Sequence, residues 1–133
     1  PAAPTPCAAD VLELVDGFRS AGLAVTFRLE GDLAAVPMGT GLAAYRVVQE
    51  SLSNAVKHAP GAPVDLEFRV TDGAVDLRVV NPIVPGADVG ASGGTGVRGM
   101  AERAELLGGT ASARNGDGTW KVDARLPWSE SLA

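Results

Sequence analysis

The sequence is short of the residues that build disulfide frameworks and metal clusters. Its 133 residues include one cysteine, Cys7, and one histidine, His58. A single thiol cannot pair within the chain, and structural zinc sites need several Cys and His ligands, so a disulfide scaffold and a zinc finger are both excluded. The length fits one globular domain that is stabilised by its hydrophobic core alone.

Positive charge and long apolar runs are also scarce. Eleven Lys and Arg against sixteen Asp and Glu give a net charge of −5, the wrong sign for a protein that binds phosphate backbones, so nucleic acid is not an expected partner. The apolar runs are too short to span a bilayer, and no basic-then-apolar leader opens the chain. We therefore expect a domain that works in the cytoplasm without touching a membrane, as part of a longer protein.

Hydrophobic periodicity predicts three helices. Apolar residues recur every three or four positions within 10–22, 42–58 and 97–108, and glycines end the first and third of these stretches. Asp10 and Glu13 resemble a capping pair at the start of the first helix. In the central helix the spacing predicts one buried face, which consists of Leu42, Tyr45, Val48, Leu52 and Ala55.

Alternation of apolar and polar residues predicts five strands, at 24–30, 64–70, 75–79, 110–114 and 119–126. Turn residues at 72–73 and 115–118 join four of them into two hairpins. Residues 82–96 have no periodicity and are predicted to form a long functional loop. The order indicates an α+β fold, a two-layer sandwich in which three helices cover one face of a mixed, mostly antiparallel sheet. We place this domain at 10–128, between a linker at 1–9 and a tail at 129–133.

The central helix has a polar stripe opposite its apolar face. Six residues share this stripe at spacings of three and four: Arg46, Glu50, Ser53, Asn54, Lys57 and His58. One interpretation is a solvated surface, with His58 compensating the helix dipole. The other is a site in which Asn54 offers an oxygen to Mg²⁺, Glu50 orients a water or acts as a base, and Lys57 meets a phosphate. The stripe by itself leaves both open.

A glycine motif follows the predicted loop. The segment Gly94-Thr95-Gly96-Val97-Arg98-Gly99-Met100 fits G-x-G-x-x-G, but it follows a Gly/Ser-rich stretch and no strand. The position about twenty residues on, where the dinucleotide fingerprint has an acidic residue after a strand, falls in the turn at 115–118. A dinucleotide site is therefore excluded. What remains is either a flexible loop before a glycine-rich helix start, or a place where backbone amides that open a helix at Val97 approach an anion.

Together, the helix at 45–58 and the glycine motif at 94–100 resemble the catalytic, ATP-binding domain of two-component sensor histidine kinases. The resemblance covers about 12–127 and is strongest to the subgroup that pairs with helix-turn-helix response regulators. This subgroup belongs to the GHKL superfamily, which also includes gyrase and the mismatch-repair protein MutL. It implies the Bergerat-type ATP-binding fold, with ATP and Mg²⁺ as cofactors.

The resemblance also implies roles for individual residues. Asn54 would be the Mg²⁺ ligand, Glu50 the catalytic carboxylate that polarises the attacking group, and Lys57 and His58 contacts to the phosphates. Five residues of the glycine motif would form the lid side of the nucleotide site: Gly94, Gly96, Val97, Gly99 and Met100. Where the family carries D-x-G-x-G, this chain has Val80-Asn81-Pro82-Ile83-Val84. Asn81 takes the place of the adenine-binding aspartate, and its amide oxygen accepts a hydrogen bond without carrying a charge.

The implied function is to present the γ-phosphate of Mg-ATP to a histidine on a separate dimerisation domain of the same kinase, which in turn serves a response regulator. His58 belongs to the nucleotide-site helix, so the chain alone should not complete the transfer. Two alternatives stay open. One is a noncatalytic module of the same fold that acts through protein contacts, and the other is an anti-sigma-type serine kinase.

Overall fold

The computed structural model describes residues 5–59, 61–82 and 89–128, with backbone alone over 89–97. Its elements follow in chain order, with a short 3-10 helix at Leu33–Ala35 between β1 and α2. They are α1 (Asp10–Ser20), β1 (Val25–Glu30), α2 (Met38–His58), β2 (Val64–Thr71), β3 (Ala74–Pro82), α3 (Val89–Leu106), β4 (Thr110–Gly116) and β5 (Thr119–Pro127). None of the helices described there is long and apolar enough to cross a membrane.

The strands form one mixed sheet in the order β1-β2-β3-β5-β4. β1 and β2 run parallel, and the chain between them includes α2, as a parallel pair requires a long crossover connection. The other three pairings are antiparallel, and both predicted hairpins are present. The predicted α+β sandwich is therefore confirmed.

The core lies between the sheet and the helices. Alternate residues of the three central strands are buried and face the helices: Val64, Leu66, Phe68, Val75, Leu77, Val79, Val122, Ala124 and Leu126. α2 covers them with Val47, Val48 and Leu52, all fully buried. This period of two is what the sequence alternation predicts for strands with one buried face.

The opposite face of the sheet carries charges that pair between directly opposed residues. Four such pairs are Arg28–Glu67 (3.1 Å), Arg69–Glu30 (2.9 Å), Arg78–Asp123 (2.8 Å) and Arg125–Asp76 (3.0 Å). The hydrogen bond to Asp123 raises the pKa of Arg78 above its ordinary value, with further help from the carboxylate charge. Charges on this face therefore satisfy one another.

Glycines end α1 and α3 as the sequence predicts. Gly22 and Gly108 adopt positive φ angles of 105° and 80°. In each case the amide of the glycine bonds back three residues, and the next amide bonds back five residues, for example from Gly109 to the carbonyl of Ala104 at 2.8 Å. This is the Schellman arrangement, which requires a left-handed residue that glycine adopts without strain.

Two details near the helix starts differ from prediction. Asp10 is the first residue of α1 and not its cap, because the cap position is Ala9, which makes no side-chain cap hydrogen bond. The Asp10 carboxylate instead accepts a hydrogen bond from the backbone amide of Cys7 at 2.8 Å. α2 begins at Met38, before the predicted position 42. Its apolar face is also rotated, since Leu42 and Tyr45 are only half-buried while small residues approach the core in their place: Ala43, Ala44 and Val47.

The second hairpin turns over fewer residues than predicted. β4 continues through Gly116, and only Asp117 and Gly118 form the turn, with φ angles of 54° and 74°. Two consecutive residues with positive φ define the tight turn whose twist matches that of the strands it joins.

The prediction of a loop at 82–96 is wrong over its second part. Pro82 ends β3, residues 83–88 lie outside the described residues, and α3 already begins at Val89. Gly94, Gly96 and Val97 are therefore inside a helix, and the expectation that α3 opens at Val97 with free amides is incorrect. Glycine lowers helix propensity without forbidding the helical backbone, and the anchored second half of α3 allows helix to propagate backwards. Met100 and Ala104 provide that anchor.

Candidate functional site

The last turns of α2 and the end of β3 meet at one end of the sheet. β2 begins beside the end of β3, because Asp65 pairs with Val80. α2 ends at His58, shortly before β2 begins at Val64, so its final turns adjoin the same place. Asn54 and Asn81, which are far apart in sequence, are therefore brought to a common end of the molecule.

α3 brings the glycine motif to that end as well. Ser51 of α2 contacts Met100 of α3, whereas Arg46 and Arg103 line one groove further from the site. As α2 is followed towards its end, its neighbours on α3 come earlier in the chain, so the two helices are antiparallel. The glycines that precede Met100 thus lie beside the turns of α2 that follow Ser51.

Asn54 is the most unusual side chain at this end. It is 4% exposed, and its amide nitrogen is the one buried polar side-chain atom in the described part of the chain that has no hydrogen-bond partner. Burying such a group without a partner costs about 1–3 kcal/mol. The unpartnered group is a donor, so an acceptor atom of a ligand that enters beside α2, such as a phosphate oxygen, would satisfy it. This supports Asn54 as a ligand-binding residue, and its role as a metal ligand through the amide oxygen stays a prediction.

The other predicted site residues of α2 lie within about one turn of Asn54 and differ in their exposure to solvent. Glu50 is half-buried one turn earlier, Lys57 is exposed, and His58 is half-buried in the last turn. Arg46 lies two turns before Asn54, and its guanidinium donates to Gln49 Oε1 at 3.0 Å. The part of the predicted polar stripe within about one turn of the buried amide therefore begins at Glu50.

Asn81 faces the helix side of β3 and is 4% exposed. Its amide nitrogen donates to the carbonyl oxygen of Pro82 at 3.0 Å. One of the two N–H groups of the side chain is thus used within the protein. The other N–H and the amide oxygen stay open to a ligand, so both hydrogen-bonding modes are possible at this position.

The glycine motif has two different surroundings within α3. A Cβ added at Gly99 would meet nothing within 4 Å, so open space lies next to the helix there. Met100 is buried in the core, where its sulfur accepts a hydrogen bond from the Ser51 hydroxyl at 3.8 Å. Ser51 is a site neighbour that the polar stripe did not include, and the signal for it is its position one turn before Asn54. Nucleotide contacts from Gly94, Gly96, Val97, Gly99 and Met100 stay predictions.

The residues present fit one class of metal site. No group of three or more His, Cys, Asp or Glu side chains that could cage a metal occurs in the described residues. Mg²⁺ seldom needs such a cage, because it keeps several waters and is bound through one or two protein oxygens together with substrate phosphates. The Asn54 amide oxygen, with the Glu50 carboxylate one turn away, suits that type of site.

The structure thus has a helix-covered sheet with the buried amide of Asn54 at one end. A scan against protein-family models finds no match for the chain, and a search of curated proteins finds none either. Solved structures do match. The histidine kinase domain of the blue-light activated histidine kinase from Erythrobacter litoralis EL346 has a TM-score of 0.69 and 23% identity, covering 98% of this chain and 71% of that chain.

Two other histidine kinases share the architecture. AdeS from Acinetobacter baumannii has a TM-score of 0.64 and 15% identity, covering 92% of this chain and 64% of that chain. The catalytic domain of ThkA has a TM-score of 0.59 and 15% identity, covering 89% of this chain and 87% of that domain. At these identities the likeness shows the fold: the chain folds as the catalytic domains of histidine kinases do. It spans 46% of a longer structure of the Erythrobacter protein.

Proposed function

We propose that this chain is the ATP-binding catalytic domain of a sensor histidine kinase. The observation that carries the proposal is the buried, unpartnered amide of Asn54, in a fold shared with histidine kinase catalytic domains. In this proposal the domain presents the γ-phosphate of Mg-ATP to a histidine on a separate dimerisation domain, in the cytoplasm, and a response regulator receives the phosphoryl group afterwards. We keep the subgroup that pairs with helix-turn-helix regulators as part of the proposal.

The chain's own residues would mainly bind and orient the nucleotide. Asn54 would hold magnesium through its amide oxygen, and the bound metal would neutralise charge on the triphosphate. Lys57, exposed in the last turn of α2, would meet phosphate oxygens as a point charge, with His58 beside it. Asn81 would accept a hydrogen bond from the adenine amino group. Glu50 would polarise the incoming imidazole, so positioning supplies most of the catalysis.

Calorimetric titration with ATP, with and without Mg²⁺, tests the binding step. The unchanged chain should bind ATP more tightly with the metal, and Asn54→Ala should abolish that metal dependence while remaining folded. Asn115→Ala is the matched control, because Asn115 is an exposed amide on β4. A folded Asn54→Ala protein with unchanged Mg-ATP affinity would contradict the assignment.

A phosphoryl-transfer assay tests whether the acceptor histidine lies on a separate domain. Given ATP labelled on the γ-phosphate, the isolated chain should acquire no phosphohistidine, and label should appear on histidine only when a dimerisation domain with its acceptor is added. Acid-labile label on His58 of the isolated chain would overturn the scheme. Acid-stable label on a serine of an added protein would instead favour the serine-kinase alternative.

The noncatalytic alternative has one observation in its favour. Asn81 is neutral, and one N–H of its amide is already bonded to Pro82, so the acceptor that it offers to the base carries no charge. Hydrogen bonds to ionised acceptors contribute about 1.5–3 kcal/mol against about 1 kcal/mol for neutral pairs, so weak ATP binding is expected. No detectable binding by either the unchanged chain or Asn81→Asp would favour a module that acts through protein contacts.

A further inference from the structure

An open apolar groove lies between the first half of α2 and the end of α3. Seven residues define it here: Gly39, Leu42, Ala43 and Arg46 on α2, Arg103 and Leu106 on α3, and Leu107 directly after α3. The groove encloses about 250 Å³, enough for a few side chains and too little for a folded domain. Leu42 lies about 18 Å along α2 from Asn54, at 1.5 Å per residue, so the groove is separate from the candidate nucleotide site.

Two strongly exposed hydrophobic residues lie at this groove or one turn from it. Leu106 is 86% exposed and Met38 is 70% exposed, the two highest values among the large hydrophobic residues of the described chain. Met38 stands one turn before Leu42 on the same face of α2. Single exposed leucines are common on protein surfaces, but exposed apolar residues that accompany an apolar groove are typical of an interaction site.

Two arginines line the groove without a carboxylate to balance them. Six of the nine arginines form ion pairs: Arg19, Arg28, Arg69, Arg78, Arg114 and Arg125. No ion pair within the described residues involves Arg46 or Arg103. Arg46 donates instead to Gln49, and its guanidinium lies 5.9 Å from the centre of the Tyr45 ring. The lining of this groove thus carries two positive charges and no carboxylate, in a chain of net charge −5.

We propose that this groove docks an acidic amphipathic helix from a partner. Two antiparallel helices leave a groove into which a third helix packs its apolar side chains, so apolar residues at spacings of three and four would occupy the space beside Leu106. Asp or Glu residues flanking that stripe would pair with Arg46 and Arg103. A second copy of this chain fits poorly, because two grooves face to face would bring four arginines together.

Binding of two designed peptides to the full chain tests the proposal without nucleotide, so its outcome is independent of the kinase assignment. Both 18-residue peptides carry the same leucine stripe, one flanked by Glu and the other by Lys. The Glu peptide should shift the NMR resonances of Leu42 and Leu106, bind at least ten times more tightly than the Lys peptide at low salt, and weaken as NaCl is added. Equal binding of both peptides, no binding, or shifts elsewhere would refute the proposal.

Variants separate the apolar and ionic contributions. Leu106→Ser should weaken the Glu peptide at least fivefold, whereas Leu12→Ser, an exposed leucine of α1, should leave it unchanged. Arg46→Glu combined with Arg103→Glu should reverse the preference towards the Lys peptide. If that double variant does not fold, Arg103→Glu alone, at an exposed position, should reduce the preference for the Glu peptide at least threefold. Unaltered preference in a folded variant, or a dimer in sedimentation that Leu106→Ser dissociates, would count against a partner helix.

Discussion

At the scale of single residues, Asn54 combines burial with an unsatisfied amide. Asn54→Ala should change the free energy of unfolding by less than about 1 kcal/mol, because relief of the orphaned group offsets the lost contacts. Leu52→Ala, two residues earlier and fully buried, should cost about 2–5 kcal/mol. Urea denaturation of both variants measures the contrast. Equal losses would mean that the Asn54 amide is well satisfied in the folded protein.

Asn81 should show opposite effects on binding and on stability. Asn81→Asp places a carboxylate oxygen against the Pro82 carbonyl in place of a donor, so we expect the unfolding free energy to fall by about 1–3 kcal/mol. The carboxylate is also the stronger acceptor for an adenine amine, so ATP affinity should rise. Thermal unfolding and calorimetry measure the two quantities, with the exposed Asn115→Asp as control. Weaker ATP binding by Asn81→Asp would show that the Asn81 donor is used on the base.

Residue-level chemistry was predictable where it depends on spacing within one element. The step from Glu50 to Asn54 is one helical turn, and the sequence fixes that relation before any fold is known. What spacing does not reveal is the depth of each side chain. Asn54 is buried while Lys57 is exposed, because the core-facing surface of α2 is rotated towards Ala43 and Ala44.

At the scale of elements, α3 is the part that differs most from expectation. Its first half has no apolar periodicity, and five glycines occur within positions 89–99. Pattern rules assign such a stretch to a loop, since each glycine costs about 1 kcal/mol relative to alanine in a helix. Strands, by contrast, were predictable to within three residues at each end, because apolar and polar residues alternate along them.

Two glycines in open helical positions allow the role of this stretch to be tested. A Cβ at Gly17 in α1 or at Gly99 in α3 would meet nothing within 4 Å. Gly17→Ala and Gly99→Ala should each raise the free energy of unfolding by about 0.5–1 kcal/mol.

Only Gly99→Ala should also weaken ATP binding, severalfold, because a stiffer helix opposes any backbone adjustment around the triphosphate. Thermal unfolding and titration with Mg-ATP provide both readouts, and Gly17→Ala serves as the matched control. Unchanged ATP affinity in Gly99→Ala would limit this glycine to a structural role.

At the scale of the whole molecule, the two faces of the sheet differ. One face packs against the helices to form the core, and the other carries the paired charges. Asp123 accepts from Arg78 at 2.8 Å and also lies 3.9 Å from Arg114. Asp123→Asn should lower the unfolding free energy by at most about 1 kcal/mol at low salt, since these side chains are partly exposed. The loss of unfolding free energy should be smaller in 1 M NaCl, because the Debye length there is about 3 Å and exposed charges are largely screened. Asp65→Asn, on the same face, is the control, and a loss that salt does not reduce would point to packing instead.

The candidate site also lies where α2, β3 and α3, which are distant in sequence, come together. The hairpins β2–β3 and β4–β5 close over short turns. By contrast, β3 pairs with β5 although α3 and β4 lie between them in the sequence. Nonlocal pairings of this kind slow folding, and contacts that depend on them are expected to be incomplete at the transition state. A nucleotide bound across α2, β3 and α3 would then stabilise contacts that form after the barrier. In stopped-flow experiments saturating Mg-ATP should slow unfolding and leave the refolding rate unchanged, so that the ligand sets the lifetime of the folded domain.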